Sequence, residues 1–211
     1  MARRRVAVLI SGRGSNMQAL IDAARQPGYP AEIVRVIANV PAAGGLARAA
    51  AAGIVGETVD HRQFPNRPAF EAALDARIRA SGAELVCLAG FMRLLTAGFV
   101  EAWRDRLINI HPSLLPKFPG LETHKRALEA GEAHAGCTVH FVRTEMDSGP
   151  LLVQAVVPIQ PDDDEDRLAA RVLQAEHRAY PLALSLVAAG RVRIADQKAL
   201  IDGQPGPLRL N

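Results

Sequence analysis

Two cysteines in 211 residues, Cys87 and Cys137, lie far apart, and neither belongs to a Cys-x-x-Cys pair. That scarcity argues against a disulfide framework or a metal site and fits a reducing compartment. Cys87 sits inside the apolar run Leu85-Val86-Cys87-Leu88-Ala89 and reads as a small buried hydrophobe. Long apolar runs are lacking as well. The stretch after Arg3-Arg4-Arg5 ends at Ser11-Gly12, too short for the core of a secretion signal, and no later segment is long enough to span a bilayer. A cytoplasmic location without a membrane partner is expected. Aromatic residues make up 4% of the chain and are not interleaved with basic runs, which argues against nucleic acid as a partner. The net charge of +3 is small. It helps attract phosphorylated or carboxylated small molecules without requiring a polyanion.

What is present suits a core of helices on a sheet. Hydrophobic residues reach 49%, enough for a continuous core without cross-links, and they are mostly Ala, Val, Leu and Ile. The pattern predicts strands at Val6 to Ile10, Glu32 to Ala38, Ile54 to Val59 and Leu85 to Ala89. Helices at Asn16 to Ala24, Gly45 to Ala52 and Pro68 to Ala80 alternate with them. Strand-helix alternation with fully apolar strands predicts a doubly wound, mostly parallel α/β sheet covered by helices on both faces. The second half differs. A strand at Leu107 to His111 runs into the proline-rich loop Pro112 to Gly120. Strands at Gly136 to Val142 and Leu151 to Pro158 flank the turn Asp147-Ser148-Gly149-Pro150, which predicts some antiparallel pairing. A helix is expected from Glu165 to Ala188, capped by the acidic run Asp162 to Asp166 and kinked or broken at Pro181. Residues 191–211 read as a small hairpin with a loose tail, within one domain and with no repeat or linker.

Ser11-Gly12-Arg13-Gly14-Ser15-Asn16 lies between the first strand and the first helix. Glycines allow a sharp turn and close approach to a ligand, and the positive end of the helix that follows welcomes an anion. A tight turn capped by Ser15 or Asn16 explains the same residues without a ligand. A dinucleotide site fits poorly, because Met17 stands where a third small residue belongs and Asn39, not an acid, follows the second strand.

Asn109-Ile110-His111 ends a strand, so Asn109 and His111 share one face while Ile110 faces the other. At the carboxyl end of a parallel strand, an amide beside an imidazole is able to hold an oxyanion and move a proton. Capping or packing accounts equally well for a lone histidine. His140 shares a face with Thr138 and reads as a satisfied, partly buried supporting group. A carboxylate near His111 would orient the ring and raise its pKa. Asp147 is a candidate, but spacing alone does not bring it there, and turn chemistry is the simpler reading of Asp-Ser-Gly-Pro.

Four motifs follow in order: Leu9-Ile10-Ser11-Gly12-Arg13-Gly14-Ser15-Asn16, Ala89-Gly90-Phe91-Met92-Arg93, Asn109-Ile110-His111-Pro112-Ser113-Leu114-Leu115-Pro116, and Met146-Asp147-Ser148-Gly149-Pro150. With Glu176-His177 and Tyr180-Pro181, they make the chain resemble the phosphoribosylglycinamide formyltransferases, the glycinamide ribonucleotide transformylase family of folate-dependent enzymes. The resemblance covers all but the C-terminal tail, implying a formyltransferase domain over 1–190 with 191–211 as part of it. It implies formyl transfer from 10-formyltetrahydrofolate to the amine of the ribonucleotide in purine biosynthesis, without a metal. It places Asn109, His111 and Asp147 at the reaction, with His140 in support. Gly14, Ser15 and Asn16 would hold the ribonucleotide phosphate, and Glu176 the rest of that substrate near its amine. Met92-Arg93-Leu94-Leu95, Asn109, Arg143-Thr144-Glu145-Met146-Asp147 and Arg67 would line the folate pocket, Arg67 pairing with a tail carboxylate. A cis Leu115-Pro116 peptide and a monomer or homodimer are further implications. Arg13 and Glu122 depart from the residues other members carry at those positions.

The implied mechanism is direct attack of the amine on the formyl carbon, with the oxyanion held by Asn109 and His111 and a proton passed from His111 to the departing folate. A covalent formyl-Cys137 route lacks an assigned base. A formyltetrahydrofolate hydrolase would share Asn109, His111 and Asp147 but is expected to carry an extra N-terminal domain. A methionyl-tRNA formyltransferase is expected to need a larger C-terminal one. A non-catalytic nucleotide-phosphate module would leave the Asn109/His111 pair and Asp147 without a use.

Overall fold

The structure is a computed structural model that describes residues 2–211. The chain divides into two compact units, one ending at Asn109 and one running from Ile110 to Asn211.

The first unit runs β1 (Arg4–Ile10), α1 (Ser15–Ala24), β2 (Ala31–Ala38), α2 (Gly45–Ala51), β3 (Gly56–Thr58), a 3-10 turn at His61–Gln63, α3 (Arg67–Ala80), β4 (Leu85–Leu88) and α4 (Ala97–Ala102). It ends within β5 (Leu107–His111). Strand order is β5-β4-β1-β2-β3, and every pairing is parallel. Val6 to Ile10 and all of β4 are buried, as expected for strands covered on both faces. The α3 helix shows how local sequence sets an element. Asn66 accepts a hydrogen bond from the Ala69 N–H at its start, and Pro68 occupies the first turn. Phe70, Leu74 and Ile78, spaced by four, form the buried stripe. Gly82 then takes a positive φ just past the end.

The second unit contains α5 (Thr123–Glu129), β6 (His134–Phe141), β7 (Leu151–Pro158), α6 (Glu165–Ala188), β8 (Val192–Ala195), β9 (Lys198–Ile201), β10 (Gln204–Pro205) and β11 (Leu208–Leu210). Here β6 and β7 are antiparallel, giving the antiparallel pairing expected of the C-terminal half. As expected, an acidic cap opens α6: Asp164 accepts from the Arg167 N–H, with Glu165 and Asp166 in the first turn. The helix packs on β6 and β7.

Two expectations are corrected. Pro181 does not break α6, which continues to Ala188. The backbone bond lost at proline is offset by burial of Tyr180, Ala183 and Leu184 around it. Residues 191–211 are not a hairpin with a loose tail. β8, β9 and β10 form a three-stranded antiparallel sheet, and Leu208 to Leu210 pair in parallel with Val153 to Ala155 of β7. The backbone groups along that edge of β7 find partners in the tail. The helices α4 and α5 were not foreseen, being too short for a periodic signal. Among the described residues, no helix is long and apolar enough to cross a membrane.

Candidate active site

In the first unit, the loop after β1 is shaped by glycine. Gly14 has φ +73°, and a Cβ there would lie 2.9 Å from the Cα of Gly45. The Gly45 N–H donates to the Gly12 carbonyl at 3.0 Å, so the loop is braced by α2. Gly14 is the N-cap of α1, with no side-chain capping bond and no acid in the first turn. Ser15 and Asn16, the alternative caps, instead lie inside the helix, in its first turn. A left-handed glycine turns the chain tightly enough to start the helix without one. The result is a positive helix end unneutralised by a side chain, suited to an anion.

Also in this unit, Met92 and Leu94 are exposed, Arg93 and Leu95 half-buried. Arg67 opens α3 with an exposed side chain. Asn109 is half-buried near the end of β5. Sequence reading missed a polar cluster here. Ser11 Oγ donates to Asn39 Oδ1 at 2.6 Å and accepts from the Met92 N–H at 2.8 Å. His61 Nδ1 donates to the Asn39 carbonyl at 2.9 Å. A polar Asn39 directly after an apolar strand was the available signal.

In the second unit, His111, Asp147 and His140 come together. His111 is buried at the end of β5. Its Nε2 donates to the Phe118 carbonyl at 3.0 Å, and its Nδ1 lies 3.5 Å from Asp147 Oδ2. A carbonyl and a carboxylate both only accept, so the ring stands between two acceptors. Its Nδ1 makes the longer contact and is the freer nitrogen for a reacting group. The Gly120 N–H donates to Asp147 Oδ2 at 2.8 Å, and Asp147 holds φ 53°, a conformation aspartate tolerates better than most residues. His140 Nδ1 donates to the Phe141 carbonyl at 3.0 Å, and its Nε2 lies 3.7 Å from Asp147 Oδ1. Burial pushes the His140 pKa down, with the Phe141 bond and the Asp147 charge opposing. The proton therefore sits on Nδ1, and the ring is fully buried where a partly buried one was expected.

The loop between His111 and Gly120 is held from β6 and β7. Thr138 Oγ1 donates to the Ser113 carbonyl at 2.7 Å and accepts from the Leu115 N–H at 3.1 Å. Gln154 donates to the Leu115 carbonyl at 2.8 Å. The Leu115-Pro116 peptide is cis, as expected. Gln154 was not singled out from sequence, although an amide in a buried apolar strand is a signal of this kind of duty. Arg143 is half-buried and donates to the Val142 carbonyl; Thr144, Glu145 and Met146 are exposed. Glu176 is buried on α6, and its charge acts on Cys137, whose thiol is pushed up to about 12 by burial first and Glu176 second. Among the described residues, no group of three His, Cys, Asp or Glu side chains is placed to hold a metal ion.

The model of the family described as formyl transferase matches residues 4–184. A phosphoribosylglycinamide formyltransferase of Escherichia coli (strain K12) is 46% identical over 202 residues, covering 96% of this chain and 95% of that protein. The trifunctional purine biosynthetic protein adenosine-3 of Drosophila melanogaster is 54% identical over 197 residues, 92% of this chain, but the chain spans only 15% of that protein's length. Among solved structures, a phosphoribosylglycinamide formyltransferase from Coxiella burnetii matches with a TM-score of 0.94 at 44% identity, over 99% of this chain and 100% of that one.

Proposed function

The chain belongs to the formyl transferase family, and we propose that it moves the formyl group of 10-formyltetrahydrofolate to the amine of 5'-phosphoribosylglycinamide in de novo purine biosynthesis. The observation that carries the reading is the buried His111–Asp147 contact of 3.5 Å, in a chain similar along its length to a phosphoribosylglycinamide formyltransferase. We take the formyltransferase domain as residues 1–190, with 191–211 part of it, acting in the cytoplasm as a monomer or homodimer on small molecules alone.

The amine lone pair attacks the formyl carbon, and the carbonyl electron pair moves to oxygen. Asn109 and His111 hold that oxyanion. As it collapses, the bond from carbon to the folate nitrogen breaks, and the proton for that nitrogen comes from His111. The attacking amine gives up one proton, through water near Asp147, which restores the ring. Asp147 fixes the His111 ring, while its other oxygen faces neutral His140. Gly14, Ser15 and Asn16 take the phosphate at the open end of α1, and Glu176 stands near the amine. Met92 to Leu95 and Arg143 to Asp147 line the folate pocket, with Arg67 on the folate tail.

Absorbance of the folate product, followed with and without the ribonucleotide, tests the proposal. Turnover that requires the ribonucleotide is expected. Equal turnover without it would mean hydrolysis, and none in either case a binding module.

A further inference from the structure

The loop Met92 to Leu95 carries exposed side chains, with Met92 71% and Leu94 60% accessible, yet its backbone is pinned at both ends by side chains from other elements. At the far end, Glu71 is buried on α3. It accepts from the Thr96 N–H at 2.8 Å and from the Thr96 hydroxyl, and Thr96 in turn caps α4. At the near end stands Ser11. Its N–H donates to the Gly90 carbonyl at 3.1 Å, and its Oγ accepts from the Met92 N–H.

A serine hydroxyl has one proton to give. Asn39, 2% exposed, takes that proton at 2.6 Å, which leaves the oxygen lone pairs for Met92. Asn39 is itself fixed, its N–H on the Ile10 carbonyl and its own carbonyl receiving His61 Nδ1. The hydroxyl is thus oriented before any ligand arrives. Ser11 is also the first residue of the glycine loop, one position before the Gly12 carbonyl that Gly45 holds. It is covalently part of one ligand loop and hydrogen-bonded to the other.

We propose that Ser11, oriented by Asn39, is a positioning residue that locks the folate loop Met92 to Leu95 to the phosphate loop, so that each is held in its binding shape by the other. This rests on the function proposed above for those loops. Ser11 does not touch the reacting atoms in this account, so its loss acts on binding.

The test compares the full chain with Ser11→Ala and Ser11→Thr, the second of which keeps the hydroxyl. Amide hydrogen exchange of residues 90–96, the Kd of tetrahydrofolate, and kcat and KM for the ribonucleotide are measured on each. For Ser11→Ala, roughly three- to tenfold faster exchange at Met92 and a similar weakening of tetrahydrofolate are expected, the scale of one lost hydrogen bond. The ribonucleotide KM should rise with them and kcat stay within about twofold, with Ser11→Thr restoring all of these values. Unchanged exchange, unchanged tetrahydrofolate affinity, or failure of threonine to restore them would overturn the proposal. Wild-type chain that binds tetrahydrofolate but forms no formylated ribonucleotide would sink the functional reading instead and leave the Ser11 result to be judged on binding. No tetrahydrofolate binding at all would end both.

Discussion

The loop from Ser11 to Asn16 in the first unit offers a ligand mostly backbone, shaped by Gly14 and the uncapped end of α1. In the second unit, His111, His140 and Asp147 meet as side chains, each largely buried. The two constructions fail in different ways. A backbone site is broken by an added Cβ and is indifferent to most side-chain chemistry. A side-chain site tolerates changes of backbone neighbours but not the loss of one titratable group. Binding suits the first construction, and proton transfer the second.

The largest expected effect breaks the second site. His111→Ala should lower kcat by on the order of 10²- to 10⁴-fold, the range of general acid-base contributions, with little change in either KM. Asp147→Asn should follow with a loss of about 10²-fold. Asparagine tolerates the left-handed backbone at this position, so the variant removes charge without adding strain. Steady-state kinetics on both substrates check the pair. Equal losses in kcat and binding would make His111 a structural residue.

Gly14→Ala probes the first site. It forces φ +73° on a residue with a Cβ 2.9 Å from Gly45, a strain of roughly 1–3 kcal/mol. A lower Tm and a raised KM for the ribonucleotide are expected, with kcat largely spared. Ser15→Ala should shift that KM by only a few-fold. If Ser15→Ala proved the more damaging of the two, the loop would be a side-chain site after all.

The α/β order of the first unit was legible because Val6 to Ile10 and Leu85 to Leu88 are fully apolar runs and α3 is long enough for a 3.6-residue stripe. The second unit was legible in β7 and α6, whose ends match the apolar run and the acidic cap. Its tail was not. β11 is three residues long and pairs with β7, a partner more than fifty positions away, which no local pattern encodes. The candidate site divides similarly. The glycine loop and the end of β5 announce themselves through residue types, but the approach of Asp147 to His111 comes from a fold that brings together residues 36 positions apart, and only the family resemblance suggested it. The links from Ser11 to Asn39 and Met92, and from Gln154 to Leu115, are long-range polar contacts and left no periodic trace.

A smaller effect concerns pH. Burial lowers the pKa of His140, and of the less buried His124 and His177. The unfolded chain therefore takes up protons first, near its ordinary value of about 6.5. The stability from these neutral rings is fully present above that pH and is lost as pH falls below it. Thermal melting between pH 8 and 5 should show Tm declining below about 6.5, with a shallower decline in His140→Gln. A flat profile would mean that His140 is not held neutral.

The smallest effect is expected at Cys137. Its thiol, pushed up to about 12, supplies no thiolate near neutrality. Cys137→Ala should leave kcat within roughly twofold, whereas a loss approaching that of His111→Ala would revive a covalent formyl-cysteine route.

The proposed function has an amine, not water, receive the formyl group through His111 chemistry. Its most direct test follows the labelled formyl carbon of 10-formyltetrahydrofolate through turnover with 5'-phosphoribosylglycinamide present. Label recovered on the ribonucleotide amine in step with tetrahydrofolate formation, and abolished in His111→Ala, is the expected result; label recovered as free formate would contradict it.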